Sequence, residues 1–135
     1  MDTTALDRQL SDGVYVLVTA LRAGYSLRQS LEAMAQVAPE PTASLFQGVL
    51  ADLEAGCTYD DAFAKAQETW PSPHLAQIVE TIAQHRQTGG NLADQLAPLA
   101  EAIYQAVGSD SAFYPAMRFQ AQELGNKLPD RVKKG

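Results

Sequence analysis

The sequence predicts an all-α fold, a compact bundle of about six helices built from repeated helix hairpins, and three observations carry that reading. The first is a turn that recurs. Ala23-Gly24-Tyr25-Ser26 returns as Ala55-Gly56-Cys57-Thr58, 32 residues on, and more loosely as Thr88-Gly89-Gly90-Asn91, 33 residues beyond that. In each copy a glycine able to take the left-handed backbone conformation ends one helix, and Ser26, Thr58 or Asn91 caps the next. The second is a paired break: Pro39-Glu40-Pro41 and Pro71-Ser72-Pro73 stand at the same distance downstream of Gly24 and Gly56. The third is that apolar residues recur at helical spacing along the chain, while strand alternation is nowhere convincing.

Leu10, Val14, Leu17, Val18 and Leu21 form the first stripe, which ends at Gly24. Ser26 and Gln29 make a capping box for a second helix, whose Leu27, Leu31 and Met34 run to the break at Pro39. A third helix, opened by Pro41-Thr42, buries Leu45, Val49, Leu50 and Leu53. A fourth starts at Thr58 with Asp60 and Asp61 in its first turn, turns Tyr59 and Phe63 inward, and stops at Trp70-Pro71. Leu75, Ile78, Val79 and Ile82 make the fifth, ending at Gly89. The sixth runs from Asn91 through Leu92, Leu96, Leu99 and Ile103, with a kink expected at Pro98. Gly108-Ser109-Asp110-Ser111 reads as a break, after which Phe113, Met117, Leu124 and Leu128 have the spacing of a seventh amphipathic helix. The chain therefore divides into a helical domain over 1–107 and a tail over 108–135.

At 135 residues and 46% hydrophobic content the chain is long enough to bury one core. A net charge of -6 argues against a nucleic-acid partner, because phosphate neutralisation needs an excess of Lys and Arg. The charge is uneven: residues 1–117 hold 14 acids and 5 bases, residues 118–135 hold 2 acids and 5 bases. That basic end, with Lys127, Arg131, Lys133 and Lys134, suits either a solvated terminus or a segment beside anionic headgroups. The lone Cys57 fits a reducing compartment. Asp2, Asp7 and Asp12 occupy the place of a secretory signal's basic and apolar regions, and no run approaches the roughly 18 apolar residues of a membrane span. As given, the chain is expected to be soluble.

No catalytic constellation emerges. Asp60 and Asp61 are adjacent, so on a helix they diverge by about 100°, and acids in a first turn complement the helix dipole. His74 and His85 lack Cys, His or carboxylate partners at metal-ligand spacing. Gly89-Gly90 lacks the preceding strand and the Lys-Ser/Thr of a phosphate loop. The expectation is a non-enzyme with no cofactor and no metal.

The run from Leu17 to Ile103 contains Leu-Arg-Ala-Gly-Tyr-Ser-Leu-Arg-Gln-Ser-Leu, Leu-Glu-Ala-Gly-Cys-Thr-Tyr-Asp-Asp-Ala-Phe and Thr-Gly-Gly-Asn-Leu-Ala-Asp-Gln-Leu in order. With these phrases the chain resembles the cytoplasmic domain of type II secretion F proteins, most of all the TadB branch that forms the inner-membrane platform of tight-adherence pili. The resemblance covers the first 107 residues. It implies an all-α bundle on the cytoplasmic side of the inner membrane, coupling a partner ATPase and other platform subunits to pilin assembly or type II secretion, without catalysis of its own. It also implies flanking membrane-spanning helices, which this chain lacks, so an excised domain or a stand-alone copy is expected.

By the resemblance, Gly24 and Gly56 correspond to the helix-ending glycines, Ser26 and Thr58 to the caps, and Gly89, Gly90, Asn91 and Leu92 to the third turn. Capping and positive φ already account for these residue types, and three similar turns on one end of a bundle would also offer partner contacts. Asp60 and Asp61, with an otherwise acidic body, are candidates to face a basic patch on the ATPase. Two further readings belong to the residues alone. Val16, beside Tyr15, lies off the first stripe, which leaves either an unburied flank for homodimerisation or a helix buried most of the way round. A soluble helical-repeat adaptor similar to a tetratricopeptide array is the alternative function, with each hairpin touching mainly its neighbours.

Overall fold

The computed structural model describes residues 2–110, and the predicted seventh helix and basic end lie outside them. Six helices follow in order: α1 (Thr4–Arg22), α2 (Leu27–Val37), α3 (Thr42–Glu54), α4 (Tyr59–Thr69), α5 (Pro73–Thr88) and α6 (Leu92–Val107). Among the described residues there is no strand.

The turns follow from their sequence. Gly24 and Gly56 have φ of 96° and 101°, and at each the two backbone bonds of a Schellman motif close the helix. Tyr25 N–H donates to Ala20 O at 3.1 Å and Gly24 N–H to Leu21 O at 3.0 Å; Cys57 and Gly56 repeat the pattern on Asp52 and Leu53 at 2.9 and 3.0 Å. The third turn is built differently. Gly89 and Gly90 both have positive φ, 79° and 93°, and side chains hold them: Gln95 Nε2 donates to Gly89 O at 3.1 Å, and His85 Nε2 lies 2.9 Å from Gly90 O. The Pro breaks act as expected, since the residue before a proline is driven out of the helical region; Trp70, at φ -124° and ψ 82°, ends α4 in front of Pro71.

Because successive helices reverse direction, the three glycine turns share one end of the bundle and the two proline loops share the other. Arg22 at the end of α1 pairs with Asp94 at the start of α6, and Ser11 Oγ donates to Gly108 O beyond the far end of α6. The first and last helices thus pack antiparallel along their length, and theirs is the most extensive helix contact in the molecule. α1 also touches α2, α3 and α5, so it is the central element. A repeat array in which each hairpin meets only its neighbours would not close in this way.

Central placement decides between the two readings of α1 in favour of a helix buried most of the way round. Val16 is only 5% exposed, and among the residues of that helix Tyr15, at 57%, is the one large apolar side chain left open. The stripe itself reaches a turn and more earlier than Leu10, since Leu6 is fully buried and α1 starts at Thr4. α6 continues through Pro98 to Val107; the bond that Pro98 cannot make would have gone to the carbonyl of Asp94, an exposed residue with access to water. In α3, Leu50 is only half-buried, and the large core residue there is Phe46. Gly48 sits on the outer face of the same helix, where an added Cβ would meet nothing within 4 Å. Gly48→Ala is expected to raise stability by about 0.5–1 kcal/mol in urea unfolding, and a loss would show that the glycine is required by packing.

Candidate functional site: the glycine-turn end and the opposite polar hub

All of Gly24, Ser26, Gly56, Thr58, Gly89, Gly90 and Asn91 are exposed, and the fold gathers them at one end. The side chains of the three caps are already engaged. Ser26 Oγ accepts from Gln29 N–H at 3.1 Å while Gln29 Oε1 accepts from Ser26 N–H at 3.0 Å; Thr58 Oγ1 accepts from Asp61 N–H at 3.1 Å and Asn91 Oδ1 from Asp94 N–H at 3.0 Å. Neighbouring turns are then stitched across the surface. Arg22 lies 3.5 Å from Asp94, Arg28 lies 2.7 Å from Glu54, and the Arg86 guanidinium sits 4.3 Å above the Tyr59 ring. These pairs are solvent-exposed and worth little individually, so they set the shape of this end more than its stability. Between the first and third turns lies an open cleft of about 450 Å³, floored by Leu21, Leu27 and Leu92 and rimmed by Arg22, His85 and Asn91.

Asp60 and Asp61 occupy the first turn of α4 next to this end, both exposed, with no ion-pair partner among the described residues. His85 is explained by its bond to the third turn. His74 stands at the second position of α5 with Nδ1 buried and without a partner. Among the described residues no three His, Cys, Asp or Glu side chains converge as metal ligands.

The other end holds a polar hub that apolar periodicity did not reveal. Gln9, 3% exposed in the middle of the α1 stripe, joins three segments. Its Oε1 accepts from Thr42 Oγ1 at 2.6 Å and Thr42 N–H at 3.3 Å, and its Nε2 donates to Glu40 O at 2.9 Å and Asp110 Oδ2 at 3.1 Å. Asp7 accepts from Ser72 Oγ and from Thr3 Oγ1, while Ser72 Oγ also caps α5. Asp12 Oδ2 accepts from Asp110 N–H at 3.2 Å. The clue in the sequence was polar Gln9, Ser11 and Asp12 set within an otherwise apolar run.

Burial pushes the Asp12 carboxyl above the usual carboxylate range; the Asp110 N–H opposes that rise and the Asp110 charge adds to it. A carboxyl whose folded value is raised binds its proton more readily in the native state, so its ionisation costs stability as pH climbs from the ordinary value of 3.8 through the folded one. Asp12→Asn, which keeps an oxygen for Asp110 N–H, should therefore be more stable than the parent at neutral pH. The gain should shrink as pH falls toward the ordinary carboxylate value. A pH-independent difference in urea midpoint would show that the Asp12 carboxyl titrates alike in the folded and unfolded chain.

The family model described as Type II secretion system (T2SS), protein F matches residues 14–117, from the middle of α1 to past Gly108. No curated protein and no solved structure matches the chain. The match covers most of the chain, all three glycine turns and every helix from the body of α1 to the end of α6: this chain belongs to the type II secretion system protein F family.

Proposed function

We propose that the chain is the cytoplasmic domain of an inner-membrane platform, of the tight-adherence pilus or type II secretion kind, that passes the motion of a partner ATPase to subunit assembly. The family match over residues 14–117 carries this reading. The fold is suited to it. A central helix packed on both sides, short turns and a continuous core make a body that moves as a unit, and close-packed interiors transmit displacement with little loss. In this reading 1–107 is the working domain, the membrane lies toward one end of the bundle, and the glycine turns with Asp60 and Asp61 face the ATPase and other platform subunits. None of the described helices is long and apolar enough to cross a membrane, so anchorage belongs to segments outside them or to the basic tail.

Asp60 and Asp61 offer the direct test, because they are exposed and have no ion-pair partner among the described residues. Replacing both by lysine should weaken capture of the purified partner ATPase by about tenfold or more, with the thermal midpoint unchanged, as expected for two charges reversed at an interface. Capture at parental strength would remove these acids from the interface.

A further inference from the structure

The α3–α4 hairpin carries an open groove of about 260 Å³ on its outer face. Leu45 and Val49 form the floor, with Gly48, Ala62 and Ala66 letting a visitor approach the backbone closely. Gly48 faces open space, so among the described residues no other side chain fills the groove there. The Lys65–Asp52 pair, at 3.2 Å, crosses the rim, and Ser44 and Trp70 mark the mouth nearest the polar hub.

We propose that this groove takes the chain's own segment 111–135. Three observations converge on that occupant. The first is where the described chain stops: Asp110 bonds Gln9, Gln9 bonds Thr42, and Thr42 opens α3 two residues before Ser44. Residue 111 therefore departs a few side chains from the mouth. The second is shape in the sequence. At 100° per residue Phe113, Met117, Leu124 and Leu128 fall within an arc of about 60°, the pattern of a helix laid into an apolar groove. The third is charge. Residues 42–69 carry Asp52, Glu54, Asp60, Asp61 and Glu68 against Lys65 alone, whereas 111–135 carry Arg118, Lys127, Arg131, Lys133 and Lys134 against Glu123 and Asp130. This inference stands apart from the platform reading, since it concerns a contact within one chain.

The chain supplies its own probe. Cys57 is its single cysteine, exposed in the turn at the far end of the hairpin. A nitroxide on Cys57 of the full chain should erase the amide signals of residues around Leu124 and Leu128, because a helix entering at Ser44 would bring them level with that turn. Gly48→Ala, which fits the open space, should keep the loss. Gly48→Trp should restore the signals by filling the groove. Leu124→Asp should restore them too, and it leaves the helical body unaltered should Gly48→Trp fail to fold. Signals that persist in the parent, or that vanish alike in Gly48→Trp and Leu124→Asp, overturn the proposal. So does a loss that appears when the nitroxide and the isotope label are on different molecules, which would make the occupant a second copy.

Discussion

Phe46→Ala should cost about 3–5 kcal/mol, the range for deleting a large aromatic from a core that cannot collapse around the void. Phe46 is 1% exposed and belongs to the single large cluster joining α1, α2, α3, α4, α5 and α6. Domains of this kind are stable by only about 5–15 kcal/mol, so one substitution removes roughly a fifth of the margin or more. At ~4 °C per kcal/mol the thermal midpoint should drop by more than ten degrees, a shift that calorimetry resolves easily. Phe46→Leu should recover much of the loss, because it refills most of the volume without a polar atom. A cost below about 1 kcal/mol for alanine would mean that α3 is not held where the fold places it.

Gln9→Leu tests the opposite kind of interior. The change keeps the volume and the apolar character of the α1 stripe, and by hydrophobicity alone it would stabilise. It also deprives fully buried Thr42 of the oxygen that takes both its N–H and its hydroxyl, and removes the amide donor that Gln9 gives to Glu40 O and to the Asp110 carboxylate. At about 1–3 kcal/mol for each buried group left unsatisfied, the loss at Thr42 exceeds the gain, and a net cost of about 2–4 kcal/mol is expected. Hydrogen exchange separates the two accounts. The amide of Thr42 should lose protection, while that of Asp110, which donates to Asp12 and not to Gln9, serves as the internal reference. A variant as stable as the parent, with the Thr42 amide still protected, would show that the hub is decoration.

The fold was legible because its turns carry their own chemistry. Gly24, Gly56 and Gly89 adopt the positive φ that their position after an apolar run demanded, and Ser26, Thr58 and Asn91 accept the bonds that caps accept. Helix period located the buried faces of α2, α4 and α5 for the same reason: each shows one side to the core. It was less informative for α1 and α3. A helix surrounded by neighbours has no polar side to contrast with, so Val16 looked like an outlier on a stripe when it was part of a fuller burial. Phe46 and Leu6 are apolar residues that the chosen stripes passed over. Of the candidate site, the residues of the glycine-turn end were visible and their clustering followed from the alternation of helices. Gln9, Thr42 and Ser72 were not, because their partners lie 31 to 101 positions away and only the closed bundle brings them together.

The closure of α1 on α6 has a consequence for how the molecule is made. On the ribosome α1 emerges before the other five described helices, and α6, which forms the seam it needs most, emerges after them. Neighbouring hairpins such as α2–α3 can pair as soon as they appear, while Leu10, Val14 and Leu17 wait with part of their surface still in water. Contacts this distant in sequence slow folding, and the wait exposes an apolar ridge to whatever binds nascent chains. The bundle is therefore locked from the inside by a helix that must wait, while four others are made, for the partner that closes over it.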